Sequence, residues 1–103
     1  MALINSLLRY KEQGKIASFD MHGSNKATLH LSNGNECVVY MASQYIVGES
    51  DVYDAANGHP KAEYLIYNNW DSVSGAAERL AEREGISVMK FGRFAYKLDE
   101  LRA

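Results

Sequence analysis

From Glu63 to Leu101 the chain reads as strand, capped helix, strand, helix, and this order constrains its fold more than any other feature. Glu63-Tyr64-Leu65-Ile66-Tyr67-Asn68 is a short apolar run of strand-forming residues. Asp71 or Ser72 is placed to cap a helix with apolar positions at Val73, Ala76, Ala77, Leu80 and Ala81. That spacing is the i, i+3, i+4, i+7, i+8 stripe of one buried helix face. Gly85 stops the helix, and Ile86 to Phe91 reads as the next strand. Two strands joined by a crossover helix form a βαβ unit, so these strands are expected to be parallel and covered.

The first half has a different rhythm. Leu3, Ile4, Leu7, Leu8 and the stem of Lys11 predict the inner face of a helix from about Ala2 to Gln13, with Gly14 as its stop. Lys15 to His22 alternates, with Ala17, Phe19 and Met21 on one face and Ser18, Asp20 and His22 on the other. Ala27 to Leu31 alternates too, and Ser32-Asn33-Gly34-Asn35 predicts a hairpin with a type I′ turn into a strand over Glu36–Met41. That strand is expected to resume over Gln44–Val47 after a bend. Ser50 is expected to cap a short helix over Asp51–Ala56, ended by Gly58 and Pro60. The predicted fold is therefore α/β (α+β), a mixed sheet in which an antiparallel three-strand meander leads into a βαβ unit. The order is α-β-β-β-α-β-α-β-α, with helices on both faces, in one domain over residues 1–103.

This order resembles the core of the restriction-endonuclease-like fold, the PD-(D/E)xK nuclease superfamily. The likeness extends to Val47-Gly48-Glu49-Ser50-Asp51-Val52-Tyr53-Asp54-Ala55, Pro60, Ala62 to Asn68 and Gly85-Ile86-Ser87-Val88, which look like the closing half of such a domain. The resemblance implies Mg²⁺ held by an Asp on one strand and a Glu on the next, with a Lys two residues after the Glu to orient the attacking water. Asp20 and Glu36 are the residues for those acids. Glu36 is followed by Val38 where the Lys would stand, so the catalytic motif is incomplete.

The remaining chemistry is sparse. Net charge is −2, with four basic and four acidic side chains in residues 1–50 and seven and nine in residues 51–103. Neither half has the basic excess that tight binding to a nucleic-acid backbone needs, although a dimer gathering Lys11, Lys15 and Lys26 is an option. Cys37 is the only cysteine, which favours a reducing compartment and an inert core thiol. No apolar run is long enough to span a membrane, no secretory leader is expected at Met1–Asn5, and the expected setting is cytoplasmic. His22 and His30 fall on adjacent strands without a third ligand, so no metal site is assigned.

Asn68-Asn69-Trp70-Asp71 lies at the carboxyl end of a parallel strand and just before a helix, where ligands of open α/β sheets bind. The same string also reads as a helix cap with Trp70 as a staple. The expected function is a small non-enzymatic binding module, an inhibitor or accessory factor of phage or mobile-element type, docking on a protein partner without a cofactor. Its candidate contact residues are Trp70, Tyr53, Tyr45, Asn68 and Asn69, with Tyr53 and Trp70 favoured over Tyr64 and Tyr67. The alternatives are a divergent Mg²⁺-dependent nuclease using Asp20 and Glu36, and a homodimeric nucleic-acid binder.

Overall fold

The computed structural model describes residues 3–42, 46–57, 60–68 and 71–102. Along the chain lie helix α1 (Leu3–Glu12), strands β1 (Ser18–Met21), β2 (Lys26–His30), β3 (Glu36–Met41) and β4 (Ile46–Val47), and helix α2 (Glu49–Ala56). Then come β5 (Tyr64–Tyr67), β6 (Ser72–Val73), α3 (Gly75–Glu84), β7 (Ser87–Lys90) and α4 (Phe91–Arg102). The main sheet has the order β1-β2-β3-β5-β7. β1, β2 and β3 are antiparallel, whereas β3, β5 and β7 are parallel, so the meander leads into parallel strands as expected.

The handedness of the crossovers decides where the helices go. The steps from β3 to β5 and from β5 to β7 move in the same direction, and right-handed connections place both crossover helices on one face. On that face Val52 and Ala55 of α2 and Ala77, Leu80 and Ala81 of α3 pack on Tyr40, Leu65, Tyr67 and Ile86. On the opposite face Leu7 and Tyr10 of α1 and Phe94 and Leu98 of α4 cover Leu29, Val39, Met41 and Ile66. Among the described residues no helix packs on the second face of β1 and β2, where only Asn57 and Pro60 reach across, to Lys26.

Several local expectations shift. Among the described side chains of α1 the buried stripe is Ser6, Leu7 and Tyr10, while Ile4 and Leu8 are exposed and Lys11 faces solvent; Leu3 lies outside the described side chains. Tyr10 takes over because its long ring crosses to α4, stacking on Phe91 at 4.7 Å and donating its hydroxyl to the Phe91 carbonyl at 2.8 Å. The β2–β3 turn is not type I′. The Gly34 N–H donates to the Leu31 carbonyl, and among residues 32–35 only Gly34 has positive φ, at 92°. This is a β-turn closed by a left-handed glycine, so Asn33 needs no unusual backbone.

Helix α2 is capped by Gly48, not Ser50. The Gly48 N–H donates to the Asp51 carboxylate at 3.1 Å, which places Asp51 at the third helical position. Neither Asp71 nor Ser72 caps α3. Ser72 and Val73 form β6, parallel to β4 with Ile46 opposite Ser72, so β4 belongs to a separate two-stranded sheet and does not continue β3. The cap is Ser74, whose hydroxyl accepts the Ala77 N–H at 3.1 Å. Helix α4 begins at Phe91, so the last strand is shorter than expected.

Candidate functional site

The open second face of the meander carries the polar residues that alternation placed there. Directly opposite one another stand Ser18, His30 and Glu36, and in the next row Asp20, Thr28 and Val38. His30 is at the crossing point. Its Nε2 lies 2.6 Å from Asp20 Oδ2 and its Nδ1 3.0 Å from Glu36 Oε2. With a carboxylate beside each ring nitrogen, the arrangement favours the protonated imidazole, in which both nitrogens donate. The Asp20 hydrogen bond raises the His30 pKa, partial desolvation works against it, and the charges of Asp20 and Glu36 raise it further.

This geometry limits the chemistry. An imidazolium that donates from both nitrogens has no lone pair to act as base or metal ligand. The two nitrogens point away from each other, so the ring stands between Asp20 and Glu36 and keeps them from closing on one ion. The sequence brings both acids to one place, but onto a histidine. His22 does not join them, because its Nε2 pairs with Thr28 Oγ1 at 2.7 Å. No cluster of His, Cys, Asp and Glu among the described residues has the form of a metal site. His30 was missed as the centre of the cluster, though the hairpin register that places it opposite Glu36 was a readable signal.

The lysines proposed to gather at a nucleic-acid groove are mostly engaged. Lys15 Nζ contacts both oxygens of Asp99, at 2.9 and 3.1 Å. Lys26 is buried, and its ammonium donates to the carbonyls of Asn57 at 2.7 Å and Pro60 at 3.1 Å. Burial lowers its pKa, opposed by the charge of Asp54. Next to it, burial helped by Asp51 and Asp54 pushes the Tyr40 hydroxyl up to about 12. Cys37 is buried and its thiol is pushed up to about 12, chiefly by desolvation, consistent with an inert core residue.

At the carboxyl ends of the parallel strands, β4 and β6 tie the segment after β3 to the segment after β5. Tyr45, Asn69 and Trp70, three of the candidate contact residues, lie outside the described residues. Asn68 is half-buried, and its carbonyl accepts the Asp71 N–H at 3.0 Å. Tyr53 is 49% exposed on the outer side of α2 and Ile46 is 63% exposed on β4. Tyr64 packs against Phe94 and Tyr67 is buried on the other face, as opposite faces of a covered strand require. Tyr96, which sequence reasoning did not single out, is 70% exposed. Its place outside the Phe94–Leu98–Leu101 stripe of α4 was the available signal.

Among the described residues no helix is long and apolar enough to cross a membrane. The chain matches no family model, no curated protein and no solved structure.

Proposed function

We propose that this chain is a small, non-enzymatic, cytoplasmic binding module that docks on another protein through the Tyr53 side of α2. The observation that carries the reading is the His30 bridge, which occupies both carboxylates that the chain offers to a metal. Tyr53 supports the docking surface, because a half-exposed aromatic on a helix whose inner side is buried is the usual anchor of a protein interface. The lone buried thiol agrees with a reducing compartment.

The test is affinity capture from the native host with the wild-type chain, Tyr53→Ala and Tyr96→Ala, each at unchanged thermal midpoint. The reading expects a partner that is lost with Tyr53→Ala and kept with Tyr96→Ala. Equal capture by all three would move the interface elsewhere. One observation favours a second reading, the divergent Mg²⁺ nuclease implied by the family resemblance: Asp20 and Glu36 do reach the same open sheet face. In that reading Mg²⁺ would have to displace His30. Mg²⁺-dependent cleavage of DNA or RNA that disappears in both Asp20→Ala and Glu36→Ala would establish it in place of the docking reading.

A further inference from the structure

We infer that the β7 edge and the outer stripe of α4 form a two-fold interface with a second copy of this chain. Among the described residues β7 ends the main sheet, and no strand pairs with its outer side. Free edges are usually blunted by charge, proline, a bulge or a covering element. Ser87-Val88-Met89-Lys90 carries a charge only at its last position. Beside it, Arg93, Tyr96, Lys97 and Glu100 stand at i, i+3, i+4 and i+7 along α4, and with Ser87 and Met89 they line a cleft of about 210 Å³.

The order of side chains along that stripe identifies the occupant. Reversed by a two-fold axis, the stripe places Arg93 opposite the second copy's Glu100 and Tyr96 opposite its Lys97. One operation thus makes an ion pair and a cation–π contact, each of them twice. The groups are free to do so. Arg93 has no ion-pair partner among the described residues. Glu100 is 71% exposed in a surface pair with Lys97 at 3.5 Å, which exchanges at little cost.

The backbone accommodates the same axis. Antiparallel strands place side chains of one face opposite each other, so Val88 meets its own copy, or Met89 does. α4 packs over β5 and β7, which leaves the two copies of α4 side by side at about the usual 8–10 Å spacing of packed helices. A four-residue edge alone is too short to hold a dimer, and the Tyr96 face supplies the aromatic area. This surface lies on the opposite sheet face from Tyr53 and stands independently of the docking reading.

Sedimentation velocity over a concentration series tests the inference on the full chain. Wild type is expected to dimerise. Arg93→Glu and Glu100→Arg are each expected to weaken the dimer tenfold or more at unchanged thermal midpoint, and the double reversal is expected to restore it. Tyr96→Ala, which alters no charge, should weaken it as well and gives the reading if a reversal unfolds. A wild type that stays monomeric at millimolar concentration overturns the inference, and so does a dimer indifferent to these variants or one that the double reversal fails to restore.

Discussion

His30 joins three strands through two carboxylates, and its charge state decides whether the tie holds. Its folded pKa lies above the ordinary imidazole value of 6.5, with the Asp20 hydrogen bond as the largest cause. The protonated form is therefore favoured by folding. The contribution to stability is fully present below 6.5 and is lost as pH rises through the raised value. Thermal midpoints followed upward from pH 6.5 should fall more for wild type than for His30→Gln, and an NMR titration should place the His30 midpoint above 6.5. A His30 midpoint at or below that of a free imidazole would remove the tie. Lys26 makes the converse case, a buried ammonium held by two carbonyls. Lys26→Met keeps the stem and leaves those carbonyls without their donor, so it should cost roughly 1–3 kcal/mol in denaturant unfolding. Alternation over Ala27–Leu31 placed His30 on the polar face, and Lys26 lies just before that expected strand. The alternation said nothing of what would meet them, because Asn57 and Pro60 approach Lys26 from a different element.

At the scale of elements, the buried stripe of α3 was legible because Ala77, Leu80 and Ala81 repeat at helical spacing and all three are buried. Leu80→Ala should cost on the order of 2–5 kcal/mol, measured from the shift in unfolding midpoint. The start of α3 was not legible, since Asp71, Ser72 and Ser74 are all good caps by residue type. The choice falls to β4, which recruits Ser72 and Val73 as a strand and leaves Ser74 to cap. Ser74→Ala should therefore cost about 1 kcal/mol, while Ser72→Ala, at an exposed site, should change the unfolding midpoint little. On α1 Leu7 is buried as expected, whereas Ile4 and Leu8 are exposed and the Leu3 side chain lies outside what the structure describes. The interior instead selects Tyr10, whose ring and hydroxyl find partners on α4, 81 residues away in sequence. The sequence does not display a contact of that range.

For the molecule as a whole, element order and the βαβ unit were enough to predict the mixed sheet with helices on both faces. They did not predict how the meander's second face would divide: Val38 and Tyr40 of β3 are covered and Lys26 is capped by Asn57 and Pro60, while among the described residues no helix packs over Asp20 and His30. The radius of gyration, 12.6 Å, is that of one compact unit of this length. β3 and β5 are flanked by strands on both sides and covered on both faces, while β1 is an edge open on one face. Amide hydrogen exchange should accordingly be slowest in β3 and β5 and fastest in β1 among the strands of the main sheet. The strand order also bears on how the chain is made. Within the main sheet every strand adds beside the one synthesised before it, and none has to insert between two already paired. A nascent chain emerging from the ribosome can lay down this sheet in the order of translation, moving the growing edge outward at each step. The face under α4 is different, because Phe94 and Leu98 come from the last helix. Until they emerge, Ile66 and Val39 have only the cover that α1 gives, and that face of the core closes after the sheet has been laid down.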